Sequence, residues 1–186
     1  MGRMSFSETS LAGLFEVTTE AVGDERGSFV RAFCDEEFAA VRDELHWSQI
    51  NISRTSGAGT IRGLHFQRPP HAEAKLIRCI RGRVFDVAVD VRTDSPTYLR
   101  WHAIELAEDN DRMFFIPEGF AHGFQTLSDD TQLLYMHTTS WAPGSEGQLR
   151  FDDPSVAIAW PRPIAKVSDR DLAAPVADAS FVGVRL

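Results

Sequence analysis

Between residues 59 and 160 apolar and polar positions alternate in short runs, a period of two that marks strands with one face turned inward. Runs at 75–80, 84–91, 101–106, 111–116 and 131–138 are rich in β-branched and aromatic residues. Arg81-Gly82, Asp94-Ser95-Pro96, Glu108-Asp109-Asn110 and Ser128-Asp129-Asp130 divide them. Strands this short, with polar turns at this spacing, predict a sandwich or barrel. Upstream, 13–18 and 28–33 read as strands on either side of the glycine-bounded turn Gly23-Asp24-Glu25-Arg26-Gly27. Alternation from Trp47 to Ser53 sets Gln49 and Asn51 on one face and Ile50 and Ile52 on the other. The one clear helical pattern is at 35–45, where Phe38, Val41 and Leu45 recur and Asp35, Glu36 and Glu37 suit the positive N-terminal end; it predicts a surface helix.

Within 84–91 the residues Phe85, Val87, Val89 and Val91 share a face, which leaves Asp86, Ala88 and Asp90 on the other. If that second face lines a barrel, its carboxylates are functional candidates; if it meets water, they are ordinary. From Ser145 onward alternation fades. Phe151-Asp152-Asp153-Pro154 and Trp160-Pro161-Arg162-Pro163 read as a fixed-shape connection, and 166–171 as a charged tail whose plain interpretation is a solvated one.

Composition narrows the function classes. A chain of 186 residues, 43% hydrophobic and 25% charged, suits one compact domain. The net charge of −8 argues against nucleic-acid or anionic-membrane partners, while leaving room for a local arginine-lined pocket for a phosphorylated small molecule. Cys34 and Cys79 form no CxxC pair, so neither a disulfide framework nor a thiolate zinc site is indicated, and the cytoplasm is the expected compartment. The N-terminal residues carry no signal-peptide or myristoylation pattern, and no run approaches the roughly 20 apolar residues of a spanning helix.

Candidate chemistry gathers around Gly59-Thr60-Ile61-Arg62-Gly63-Leu64-His65-Phe66-Gln67, where a lone imidazole sits between apolar neighbours with a guanidinium three residues before it. Such a histidine is either a satisfied core residue or a base. Pro117-Glu118-Gly119-Phe120-Ala121-His122-Gly123-Phe124 has a Pro-x-Gly-x-x-His spacing similar to the second motif of the cupins, a jelly-roll family that often binds metal. The first cupin motif needs an HxH pair and a Glu, yet here it reads His65-Phe66-Gln67. Two imidazoles are too few for a firm divalent site, so no metal and no cofactor is expected. The polar set left over, His65, Lys75, His122, Tyr135 and several arginines, fits proton abstraction beside a carbonyl.

Asp24-Glu25-Arg26-Gly27, Arg62 to Gln67, Lys75-Leu76-Ile77-Arg78, Gly82 to Asp90, Pro117 to Phe124, Leu134-Tyr135, Phe151 to Pro154 and Ser168-Asp169-Arg170-Asp171 together resemble the dTDP-4-dehydrorhamnose 3,5-epimerases, in order and over nearly the whole chain. The resemblance implies an all-β, double-stranded β-helix (cupin jelly roll) with a few short peripheral helices. It implies a single domain over 1–186, with 165–186 as a tail packed on the barrel, and a homodimer. It further implies that His65 is the base beside the C4 ketone of a nucleotide-linked sugar with Asp171 as its partner, that Lys75 steadies the enolate, and that Tyr135 returns the proton on the opposite face. His122 and Arg62 match pocket positions, and Arg26, Gln49 and Asn51 match positions that hold the nucleotide or its diphosphate. Phe29 and Trp141 would stack on the base, and Glu146 and Arg170 complete the implied substrate contacts.

Four departures stand out. Arg31 and Ile50 replace acidic residues common in the family near the nucleotide, and Ser140-Trp141 replaces a tyrosine pair. His137, two residues from Tyr135 on the same strand face, stands where a small residue is usual. The expected activity is therefore epimerisation at C3, C5 or both of a 4-keto-6-deoxyhexose nucleotide. The alternatives are a 3-epimerase only, a 3,4-ketoisomerase, or a non-catalytic sugar-binding cupin.

Overall fold

The computed structural model describes residues 2–186. In chain order its elements are β1 (Met4–Glu8), β2 (Phe15–Thr19), β3 (Val22–Asp24), β4 (Gly27–Phe29), α1 (Asp35–Phe38), β5 (Gln49–Ser56), β6 (Ile61–Gln67), β7 (Lys75–Arg81), β8 (Arg83–Asp90), β9 (Trp101–Ala107), β10 (Arg112–Ile116), β11 (Phe120–Thr126), β12 (Asp130–His137), β13 (Glu146–Gln148) and α2 (Asp169–Leu172). They form a six-stranded sheet in the order β1-β2-β10-β7-β12-β5, a five-stranded sheet in the order β13-β6-β11-β8-β9, and a separate β3–β4 hairpin. Every strand pair within these sheets is antiparallel. This is the expected jelly roll. Among the described residues no helix is long and apolar enough to cross a membrane.

Three apolar clusters account for the packing. One joins the sheets, with Ile77, Cys79, Val84, Ala88, Phe114, Phe124 and Leu133. A second lies under the segment that carries Phe38 and Leu45, and holds Val17, Leu76, Phe115 and Met136. A third lies under the C-terminal segment and holds Leu64, Phe66, Val87, Val89 and Val184. Both faces of β8 are thus buried, as its near-continuous apolar run requires. The face bearing Phe85, Val87, Val89 and Val91 packs outward, which turns Ala88 and the fully buried Asp86 toward the barrel interior.

Two elements differ from the pattern-based expectation. The helix expected at 35–45 is a single turn over Asp35–Phe38: beyond it the bonds tighten to three-residue turns, Ala40 N to Glu37 O and Val41 N to Phe38 O, and Glu44 takes a left-handed φ of 55° through which no α-helix continues. Phe38 and Leu45 are still buried, so the apolar spacing reports packing of a compact loop. The strand expected at 28–33 ends at Phe29. Its one partner is β3, whose pairing stops at Val22↔Phe29, and a strand without a neighbour to satisfy its backbone does not continue. The tail also departs from the solvated interpretation: Lys166 O accepts from Ile61 N at 2.8 Å, and Asp171 is 4% exposed.

Candidate active site

A cavity of about 460 Å³ opens between the two sheets. From the five-stranded sheet come His65 and His122, which are register partners across β6 and β11. From the six-stranded sheet come Lys75, Tyr135, His137 and Asn51, with His137↔Lys75 and Tyr135↔Asn51 in register. Alternation explains the selection: in β6, Leu64 and Phe66 enter the outer cluster, so His65 between them must face inward.

His65 Nε2 lies 2.7 Å from Asp171 Oδ1. Asp171 is itself anchored, since its Oδ2 accepts from Gly63 N at 3.2 Å and its own N–H donates to Ser168 Oγ, the N-cap of α2, at 3.1 Å. Burial alone would raise the Asp171 carboxyl, but His65, the Gly63 amide and Ser168 outweigh it and hold the group below the ordinary carboxylate range. An ionised Asp171 accepts the Nε2 proton and leaves Nδ1 of a neutral His65 with a free lone pair.

His122 Nε2 meets Asp86 Oδ1 at 2.8 Å in the barrel interior. Burial pushes the Asp86 carboxyl up and the His122 imidazole down, each opposed by its partner. Tyr135 stands edge-on to His122, with ring centroids 5.8 Å apart. Burial, followed by the Asp86 charge, raises its phenol well above the usual value, so it remains a proton donor at neutral pH. On the same wall Glu73 bonds Lys75 Nζ at 3.2 Å and His137 Nδ1 at 2.9 Å; burial works against its charge, but Lys75 and His137 outweigh that and keep the carboxyl low. Lys75 Nζ also donates to His65 O at 3.4 Å, which ties the two sheets together at the cavity.

At the mouth Trp141 Nε1 donates to Glu146 Oε1 at 2.9 Å, and Glu146 Oε2 pairs with Arg170 at 3.0 Å. An adjoining cavity of about 360 Å³ shares Arg54, Arg62 and His65 with the first and adds Lys166 and Arg170, four cations around one space. Gln49 does not line the main cavity; its Oε1 accepts from Trp141 N at 3.3 Å. Arg26 and Phe29 are not brought to the cavity by this chain. Arg26 is 84% exposed and paired with Asp24, Phe29 is 64% exposed, and both belong to the β3–β4 hairpin. At the HxQ position Gln67 braces a loop, with Oε1 accepting from Ala142 N at 2.7 Å and Nε2 donating to His71 O at 3.1 Å. Among the described residues no three His, Cys, Asp or Glu side chains are grouped to hold a metal ion.

Sequence reasoning passed over Glu73, Arg54 and Lys166, and left Asp86 undecided. Glu73 had a signal: two residues before Lys75, it falls on the same face of an extended chain. Arg54 and Lys166 carried none, because their meeting depends on the path of the tail.

The fold is thus a cupin-type jelly roll whose cavity holds a carboxylate-paired imidazole opposite an ammonium and a phenol, and comparison with known proteins places it among the sugar-nucleotide epimerases. The family profile of dTDP-4-dehydrorhamnose 3,5-epimerase matches residues 8–178, and the chain belongs to that family. It is 39% identical over 177 residues to the dTDP-4-dehydrorhamnose 3,5-epimerase of Salmonella typhimurium, covering 94% of this chain and 96% of the relative. It is 37% identical over 169 residues to the dTDP-4-dehydrorhamnose 3-epimerase of Streptomyces niveus, covering 90% and 81%. Among solved structures, the dTDP-6-deoxy-D-glucose-3,5-epimerase of Legionella pneumophila in complex with dTDP-4-keto-L-rhamnose superposes with a TM-score of 0.91 at 35% identity, covering 99% of both chains.

Proposed function

We propose that this protein epimerises a dTDP-linked 4-keto-6-deoxyhexose in deoxysugar biosynthesis, through proton removal and return beside the C4 ketone. His65 Nδ1 takes the proton from C3, or from C5, as the C4 oxygen becomes an enolate. Lys75 supplies the positive charge that steadies this oxygen, and the Tyr135 hydroxyl returns a proton to the opposite ring face. Asp171 holds the tautomer of His65 and stabilises the imidazolium that forms. The chemistry draws on side chains alone. The carrying observation is that His65, paired with Asp171 at 2.7 Å, shares one cavity with Lys75 and Tyr135 on the facing sheet.

Asn51, Arg62, His122, Trp141, Glu146 and Arg170 are assigned to sugar and nucleotide, with the arginine forks suited to a diphosphate. Gln49 would reach the nucleotide from beside Trp141. Arg26 and Phe29 are assigned to the nucleotide in a homodimer, each hairpin serving the partner's cavity. Their exposure supports this, as does the exposure of Ile50 and Ile52 on the edge strand β5, 59% and 45%. Residues 1–186 act as one domain, with 165–186 as its tail, in the cytoplasm. Light scattering on the purified chain tests the dimer, and a monomer mass rejects it.

The test of function is NMR of products in deuterated water, with dTDP-4-keto-6-deoxyglucose as substrate. The expected result is deuterium at inverted ring positions with wild type and none with His65→Ala, which retains nucleotide binding. Exchange retained by His65→Ala removes that residue as base. A second reading, inversion at C3 only, is favoured by the 3-epimerase relative. Deuterium at C3 alone would establish it.

A further inference from the structure

His137 belongs to a connected set on one wall of the cavity that the proposed mechanism leaves without a role. Its ring lies nearly parallel to that of Tyr135, with centroids 5.8 Å apart and planes 15° apart. Its Nδ1 is bonded to Glu73 Oε2 at 2.9 Å, while the other oxygen of Glu73 takes Lys75 Nζ at 3.2 Å. The side chains of His137, Glu73 and Lys75 are 13%, 9% and 8% exposed, so the set is nearly dry, and His137 lines the same cavity as Tyr135. Strand geometry makes the arrangement specific: residues 135 and 137 share a face of β12, and His137 is the register partner of Lys75 on β7.

We propose that Glu73 and His137 are positioning residues, Glu73 gripping Lys75 and His137 with its two oxygens and the gripped imidazole fixing the ring plane of Tyr135. This rests on the reading of Tyr135 as the proton donor. The Tyr135 ring meets His122 edge-on, and His137 is the flat neighbour that lies nearly parallel to it. An aromatic contact of this kind is worth roughly 0.5–1.5 kcal/mol when its partner is itself held. Glu73 supplies the hold. Its buried charge is matched by Lys75, so the carboxylate stays ionised and accepts from Nδ1. A donor misplaced by about 1 Å can cost about 100-fold in rate, which is the leverage a positioning contact has over catalysis. Among the described residues no side chain bonds the other ring nitrogen of His137, so the Glu73 contact is what orients this ring.

The set also separates two halves of the reaction. Proton removal depends on His65 and Lys75, and proton return on Tyr135, while Glu73 touches both halves and His137 only the second. In His137→Ala, product formation is expected to fall about 10- to 100-fold, with KM within about threefold and deuterium exchange reduced much less. His137→Asn, whose amide N–H stands near the Nδ1 position, should recover most of the loss, whereas His137→Gln, which places its amide at the other nitrogen, should not. Glu73→Gln should lower exchange and product together. Full product formation by His137→Ala, or rescue by Gln in place of Asn, overturns the proposal.

A readout independent of activity separates this proposal from the functional reading beneath it. The chain has two tyrosines, Tyr98 and Tyr135, so ring-labelled protein gives an easily assigned pair of spectra. Ring flipping of Tyr135 should accelerate in His137→Ala and return toward the wild-type rate in His137→Asn, with Tyr98 unchanged throughout. Unaltered Tyr135 flipping in a folded His137→Ala protein overturns the positioning role whatever the enzyme does. Altered flipping with an unchanged ratio of product to exchange in Tyr135→Phe instead removes Tyr135 as donor and leaves the contact standing.

Discussion

His65 and Asp171 lie 106 residues apart in the chain and 2.7 Å apart at Nε2 and Oδ1. The contact requires the tail to cross back over β6, where the Lys166 carbonyl accepts from Ile61 and the Asp171 carboxylate accepts from Gly63. An acceptor on Nε2 decides which ring nitrogen is free to take a proton. Asp171→Asn should therefore lower turnover by about 100- to 10,000-fold, the range typical of one positioned general base, because an amide can turn its N–H toward Nε2 and invert the tautomer. The melting temperature should stay near that of wild type. Turnover within about threefold of wild type would show that Asp171 does not set the state of His65.

Tyr135 is expected to act after His65. Its phenol is held protonated by burial and by Asp86, so removing the hydroxyl should leave proton abstraction in place. Tyr135→Phe should retain a substantial fraction of deuterium exchange while product formation falls by about 100-fold or more. Loss of both in equal measure would contradict a separate acid on the opposite face.

How much of this was written in the sequence depends on the range of each interaction. The inward placement of His65 between Leu64 and Phe66, and the split of β8 into an apolar face and an aspartate face, follow from period two alone. Alternation also presents Tyr135 and His137 together. What alternation does not encode is which face a neighbouring sheet will cover, so it leaves Asp86 ambiguous; the structure buries it fully, as the register partner of Phe124 on β11. The helix expected at 35–45 failed because Phe38 and Leu45 anchor a loop with the same spacing a helix would need. The role of Asp171 comes with the family resemblance alone, since its local surroundings, Ser168-Asp169-Arg170, look like a solvated tail.

Asp90 offers a pH-dependent test of the fold away from the cavity. Its buried carboxylate accepts from Arg92 Nε at 2.9 Å, Ser95 Oγ at 2.6 Å and Thr97 Oγ1 at 2.7 Å. Burial opposes its ionisation, but these partners outweigh burial and lower its pKa. A carboxyl whose folded pKa is depressed adds stability that is complete above the unfolded value of about 3.9 and is lost as pH falls through the folded value. Asp90→Asn should thus cost about 1–3 kcal/mol in urea unfolding at pH 7. The gap between variant and wild type should narrow as the pH falls below the unfolded value of about 3.9. A gap independent of pH would mean that packing, not charge, is what Asp90 contributes.

Gly63 is where backbone space and catalysis meet. It has a φ of +121°, and a Cβ built there would lie 2.6 Å from Gly123 Cα and 2.7 Å from His122 O, backbone atoms of the neighbouring strand that cannot step aside cheaply. Its amide is also the donor that fixes Asp171 Oδ2. Gly63→Ala should therefore destabilise the protein by roughly 2–4 kcal/mol through strain and overpacking. It should also lower turnover in the surviving folded fraction, because β6 cannot shift from β11 without carrying His65 away from His122 and loosening Asp171. Gly144→Ala is the matching control: a Cβ there meets nothing within 4 Å, and stability should change by less than about 1 kcal/mol. Should Gly63→Ala keep both wild-type stability and turnover, the close approach of β6 and β11 would not be what holds the His65–Asp171 pair in register.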